Sequence, residues 1–417
     1  MSDIYKIIER CKALGYTCEV YGVDRLEYNV RVEKQYYSGS LRDRGYGVRV
    51  FKEGRVGFSF GSNVSEALLE KAIDALGVSD RDEYNTPPPR SKPTLIGIKP
   101  ARVDENALKE LVKSLEELKE RINVLGIYSG VEKVKVSIAS TEGTEAEEER
   151  GEVYAGIMAN FRNESLVTPE IYESSQARDI KDLDIEELKE RIARKVQITK
   201  QRVKLDKPPT KVVLNVKAVA QLVAPLVSYS VNGENVFRGK TSLKLHGVYG
   251  SITIVDDPRD VKSPYSRSFD GEGQETSPTV LFEKGKFTNV LTNWYWSRRG
   301  NVKNTASAVR SFSSVPHIGV TTIKFDPSEK DDLEEGDLVV DQVQGVHTSN
   351  WDTGEFGVVA SIAWIIKGGD EMGVREAILS GDLKSVLKGV KGGIGKRRRE
   401  DNTESPDLSI EGLRVTY

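Results

Sequence analysis

Cysteine, histidine and methionine are all scarce in this 417-residue chain, which has two, three and three of them. Two cysteines exclude a disulfide framework and a multi-cysteine zinc module. Three histidines leave a short list of ligands for any metal site. An excess of one charge is also missing: 61 basic residues face 64 acidic ones, for a net charge of -3. That argues against a broad nucleic-acid surface, which carries a basic excess. The longest apolar run, 357–366, is roughly ten residues, and a bilayer-spanning helix needs about twenty. The opening Met1-Ser2-Asp3-Ile4-Tyr5-Lys6 shows no basic patch leading into an apolar stretch, so a secretory signal is not expected and a cytoplasmic protein is. What is present, 38% hydrophobic and 30% charged residues, suits a folded globular chain. At about 150 residues per domain the length suggests two or three domains.

Periodicity predicts an α+β fold. Ile4, Ile7, Ile8, Cys11 and Leu14 recur at helical spacing, with Ser2 or Asp3 as cap and Gly15 as stop. Tyr28, Val30 and Val32 alternate with polar residues, as do Tyr46, Val48 and Val50, and Lys52-Glu53-Gly54 reads as a hairpin turn. Ser62 or Ser65 would cap a helix carrying Leu68, Ala72 and Leu76. A helix is predicted from Asp104 to about Ile122 on the stripe Leu108, Leu111, Val112, Leu115, Leu118. Two antiparallel strands follow, around 134–138 and 153–161, with Glu147-Glu148-Glu149-Arg150 read as the solvated hairpin end between them. A helix over 185–198 would be capped by Asp184.

The expected domains are an α+β subdomain at 1–80, a proline-rich connection at 81–103, a middle α+β segment at 104–206, and a C-terminal domain at 207–417. The N-terminal half is expected to pair an antiparallel sheet with amphipathic helices, and the C-terminal domain to be mostly antiparallel β. In that domain Val219 to Val227 reads as an apolar helix, helical periods return only at 373–390, and Lys396-Arg397-Arg398-Arg399 reads as a solvated loop.

The chemistry-bearing residues are sparse. His246, His317 and His347 stand far apart, none within a helical turn of another, so the helical zinc spacing is absent. Cys11 fits a core stripe. No Gly-x-Ser-x-Gly elbow or phosphate loop is present. The most specific local pattern is Phe269-Asp270-Gly271-Glu272-Gly273-Gln274-Glu275-Thr276, two carboxylates and two glycines in one tight loop. Asp270 and Glu272 suit a substrate amine, a cation or the loop's own backbone N–H groups.

Several segments stand in a specific order and spacing: Gly45-Tyr46-Gly47-Val48-Arg49-Val50-Phe51, Gly54 to Ser59, Gly233-Glu234-Asn235-Val236-Phe237-Arg238-Gly239, Phe269 to Gly273, Asp352 to Phe356, Ser380 to Leu383 and Ser405 to Leu413. Together they resemble the TldD/TldE (PmbA) peptidase family, on its TldE/PmbA side.

The resemblance implies a cytoplasmic zinc peptidase of two related subunits, one bearing His-Glu-x-x-x-His on a helix of its C-terminal domain. The matching helix here, Gln221 to Tyr229, has no His, Glu or Cys. The resemblance therefore implies a non-catalytic subunit with no catalytic or metal residue and no cofactor of its own. Zinc is expected in a TldD-like partner, and short or unfolded peptides are the expected substrates. Gly233, Asn235, Asp270, Glu272 and Gly273 are candidate peptide-cleft or loop residues. Exposed aromatic candidates for a partner surface are Trp294, Trp296 and Trp351. Self-pairing of the chain in the partner's absence is left open; no membrane or direct nucleic-acid contact is expected. Two alternatives stand beside this reading. One is an autonomous hydrolase with an atypical metal site drawn from the three histidines and Asp270 or Glu272. The other is a regulatory binding protein of the gyrase-modulator type.

Overall fold

The computed structural model describes residues 2–98 and 105–417. Helix α1 (Ser2–Ala13) buries Ile4, Ile7, Ile8 and Cys11 and stops at Gly15, whose φ of 73° only glycine adopts without strain. Strands β1 (Thr17–Val32) and β2 (Tyr36–Lys52) pair along their whole length, from Thr17 opposite Phe51 to Val32 opposite Tyr36. Glu53 and Gly54, at φ 50° and 76°, form the tight turn into β3 (Arg55–Gly61), the left-handed pair that matches strand twist in a two-residue hairpin. Ser65 caps α2 (Glu66–Leu76) by accepting from the Leu68 N–H.

After the proline-rich connection, α3 (Glu105–Glu116) carries the predicted stripe and tightens into a 3-10 turn at Glu117–Glu120; Asp104, the expected start, lies outside the described residues. Strands β4 (Asn123–Ser140), β5 (Glu145–Asn160) and β6 (Ile171–Ala177) complete a six-stranded antiparallel sheet in the order β3-β2-β1-β4-β5-β6. Helix α4 (Ile185–Thr199) begins at Asp184, which accepts from the Glu187 N–H at 2.9 Å.

Alternation splits β1 between two environments. Its even-numbered Cys18 and Val20 pack with α1 and α2, and Val30 and Val32 pack with α3 and α4. Its odd-numbered Glu19, Tyr21 and Val23 face the other way, toward Phe269 and Arg310 of the C-terminal half. The α3–α4 layer is covered on its far side by Val213, Val339, Ile362 and Trp364, so the two halves share one core. At that junction the buried Glu173 of β6 accepts from Lys195 of α4, from Lys217 at 2.5 Å and from Arg191 at 2.9 Å. Burial alone would raise this carboxyl; the three cations hold it well below the usual range.

The C-terminal half is built on a mixed sheet of thirteen strands among the described residues. Most neighbours are antiparallel. The parallel pairs are Val212–Leu214 with Leu338–Gln344, Ile323–Asp326 with Thr403–Ile410, and Arg202–Val203 with Asp370–Val374. Against it lies an apolar helical run, 216–231. No helix among the described residues is long and apolar enough to cross a membrane.

Three sequence expectations are corrected here. Residues 373–390 are strand, turn and strand before a short helix, Leu383–Gly389. The 147–150 run lies inside β5, not at its hairpin end, and Glu148 is buried because it accepts from the Ser268 N–H and from Arg150. The 396–399 run lies in the strand Val390–Glu400, where Arg397, Arg398 and Arg399 pair with Asp326, Asp407 and Asp260.

Candidate functional site

The run 216–231 is shaped by two residues. Asn215 caps it, its side chain accepting from the Lys217 and Ala218 N–H groups at 3.0 and 3.1 Å. Pro225 has no N–H to give Gln221, and the turn just before it widens: Val219–Val223 is a π turn, with the Ala224 N–H bonded to the Val219 carbonyl five residues back. Such a turn inserts one extra residue into the helical repeat. From Val216 to Val231 the side chains are aliphatic, hydroxyl, amide and phenolic, with Lys217 the one charge.

The exposed side of this helix floors a groove of about 520 Å³. Pro225, Ser228 and Tyr229 form the floor, Ile318-Gly319-Val320 and Leu291 one wall, and Asn232, Asn235 and Trp351 the far rim. The Tyr229 ring lies 6.0 Å from that of Trp351, and its hydroxyl donates to Asp352, a bond that pushes the phenol up to about 12. Asn235 donates to the Tyr229 carbonyl at 2.9 Å. Asn232 caps the helix Gly233–Phe237 and reaches the Ile318 carbonyl at 3.5 Å. Gly233 is packed so closely that a Cβ there would lie 2.7 Å from the Leu291 carbonyl oxygen. The groove is apolar with an amide rim, suited to an extended chain with small or apolar side chains.

The structure thus brings Asn235 to the groove, keeps Gly233 buried behind it against Leu291, and places Asp270, Glu272 and Gly273 elsewhere. The Asp270 carboxylate accepts from the Glu272 and Gln274 N–H groups, both at 2.9 Å, and from Ala308 at 3.1 Å. Burial first, and the neighbouring Glu272 second, push it up to about 7. Glu272 accepts from Arg49 of β2 at 3.0 Å and from the Trp294 N–H at 2.7 Å. Arg49 also holds Glu19 at 3.0 and 3.1 Å. Gly273, at φ 74°, sits 2.7 Å in Cβ terms from Thr144. This loop is a rivet between the two halves.

His317 lies in the short strand His317–Ile318 beside the groove wall, His246 lines a different cavity with Lys303, and His347 sits in the turn Val346–Thr348. Among the described residues, no three His, Cys, Asp or Glu side chains gather where they could hold a metal ion. Trp296 is core, packed with Tyr295; Trp294 and Trp351 are half-buried. The wall residues 318–320 and Asn232 escaped sequence reasoning, because none is ionisable and the groove assembles from four separate segments. The one available signal was Asn232-Gly233, a helix cap against a close backbone.

The family model described as the PmbA/TldA metallopeptidase C-terminal domain matches residues 208–417, that for domain 1 matches 18–77, and that for the central domain matches 98–199. The chain belongs to the PmbA/TldD metallopeptidase family. An uncharacterized protein of Methanocaldococcus jannaschii is 27% identical over 399 residues, 93% of each chain. A metalloprotease of Methanothermobacter thermautotrophicus is 26% identical over 170 residues, 39% of this chain and 36% of that one. Among solved structures, TldE of Thermococcus kodakarensis matches with a TM-score of 0.88 at 21% identity over all of both chains. A protein of Thermotoga maritima described as a candidate modulator of a DNA gyrase matches at 0.86 and 20% identity, over 100% of this chain and 99% of that one. These likenesses establish the fold. The groove helix offers no donor set for the metal that the family's description implies. Zinc takes thiolate, imidazole or carboxylate ligands, and 216–231 has none of these. The residues of this helix do not fit a metal.

Proposed function

We propose that this chain is the non-catalytic, TldE-type subunit of a cytoplasmic heteromeric metallopeptidase acting on short or unfolded peptides, with zinc held by a His-Glu-x-x-x-His partner. The observation that carries the reading is the groove helix. It carries a π turn at Val219–Val223, a feature frequent at functional sites, yet from 216 to 231 it has no thiolate, imidazole or carboxylate that could hold a metal. The role left to it is physical. An apolar groove with amide caps holds an extended backbone and excludes bulk water without any ionisable group of its own. The gyrase-modulator reading has less to rest on, since the arginines at 397–399 are paired with Asp326, Asp407 and Asp260 of the chain itself.

The test is a peptidase assay with short unstructured peptides and added zinc. The purified chain alone is expected to be inert, and chelator-sensitive hydrolysis to appear on adding a His-Glu-x-x-x-His relative. Chelator-sensitive hydrolysis by this chain alone contradicts the reading.

A further inference from the structure

One wall of the groove has little secondary structure of its own, although Ile318 and Val320 pack on the C-terminal core. Residues 308–320 form only a two-residue ladder, Ala308–Val309 against His317–Ile318, and an isolated hairpin of that size is not stable by itself. Its supports come from outside. The Ala308 N–H donates to Asp270 at 3.1 Å, and its carbonyl accepts from Gly271 at 2.7 Å. Arg310, its side chain 1% exposed, reaches Glu19 of β1 at 2.7 Å and lies 4.2 Å over the Tyr21 ring. Phe312 presses on β2 where that strand carries Gly45 and Gly47. A Cβ on Gly45 would be 2.3 Å from the Phe312 ring, and one on Gly47 would be 2.4 Å from its carbonyl oxygen. Phe60 flanks the ring at 6.5 Å. The Gly45-Tyr46-Gly47 motif therefore has a physical reason: two bare backbone positions make the seat for Phe312.

We infer that the N-terminal sheet sets the shape of the groove, with Arg310 and Phe312 as the positioning residues that clamp the wall 308–320 onto β1 and β2. This rests on reading the groove as a peptide seat, and it makes that seat dependent on a domain that does not line it. Arg310 fixes one end of the span and Phe312 its middle, six residues before Ile318. Release of either leaves Ile318-Gly319-Val320 held at its C-terminal side alone, by the packing of Ile318 and Val320 on the C-terminal core, by Asn232, by the Ser307 carbonyl, which accepts from Gly319 at 3.0 Å, and by Thr321, whose N–H donates to Asp256 at 2.7 Å, while 310–316 loses its seat.

The experiment uses the full chain. Phe312→Ala is the principal variant, since Phe312 is only half-buried and its loss leaves both hydrophobic cores intact. Arg310→Lys, which keeps the charge but loses the planar guanidinium stacked 4.2 Å over the Tyr21 ring, is the second. Hydrogen–deuterium exchange over 306–320 is expected to rise about tenfold in each, with exchange over 212–231 unchanged in both and the urea midpoint unchanged in Phe312→Ala. Affinity for a fluorescein-labelled apolar hexapeptide is expected to fall about fivefold, with Phe312→Leu restoring it. Gly45→Ala should give the same phenotype in the parent and add nothing in the Phe312→Ala background, because its clash is with the ring. Parent-like exchange over 306–320 in both principal variants overturns the inference. Faster exchange in a protein whose parent form binds no peptide overturns the peptide-seat reading and leaves the clamp standing.

Discussion

Glu272 offers a clean measure of how firmly the two halves are joined. It is 2% exposed, with one oxygen 3.0 Å from Arg49 and the other accepting from the Trp294 N–H at 2.7 Å. Stripping one partner from a buried ion pair costs about 3–5 kcal/mol when the other charge is stranded. Arg49 would not be stranded, because Glu19 keeps two bonds to it at 3.0 and 3.1 Å. Glu272→Gln should therefore lose one charge-assisted bond, about 2 kcal/mol, since a glutamine oxygen can still accept from Trp294. Glu272→Ala loses both bonds and should cost about 3–4 kcal/mol. Part of either loss is offset at Asp270, which burial and then the charge of Glu272 push up to about 7. Urea unfolding followed by tryptophan emission reads the difference, because Trp294 and Trp296 sit on the helix that Glu272 anchors. Both variants unfolding within about 0.5 kcal/mol of the parent would refute the claim that this network holds the seam.

Two further outcomes follow from the same contacts. Burial, then Glu132, raises Glu152 to about 7; burial also raises Glu400 to about 7 and Asp256 to about 6. Carboxyls raised above their unfolded values of about 4 stabilise the fold while protonated and lose that contribution as pH rises through 6 to 7. Glu19 and Glu173 are lowered and cost stability only below about pH 4. The urea midpoint should therefore be higher at pH 5.5 than at pH 8, with a smaller difference in Glu152→Gln; a midpoint that climbs steadily to pH 8 contradicts this. Tyr229→Phe removes the bond to Asp352 at the groove rim; it should weaken hexapeptide binding severalfold while moving stability by less than about 0.5 kcal/mol, and unchanged binding would count against the groove.

The periodic elements were legible because each buries one regular face: the alternation in β1 and β2, the stripe of α3 and the caps at Ser65 and Asp184 all rest on local chemistry. The charge runs were misread for a shared reason. A Glu or Arg looks solvated until its partner is in view, and the partners of Glu148 and Arg398, Ser268 and Asp407, lie 120 and nine residues away. The absence of ligands on 216–231 could be read directly from the residue types. The wall at 318–320 could not, because its position depends on Glu19, Gly45 and Gly47 roughly three hundred residues earlier, a distance across which local periodicity carries no signal.

Metal stoichiometry tests the central claim most directly. This chain, purified alone from zinc-supplemented medium, should carry essentially no zinc, and its complex with a His-Glu-x-x-x-His relative should carry about one zinc for every two chains, since a functional site approaches full occupancy. One zinc bound per chain in the isolated protein, or two per pair in the complex, would contradict the account.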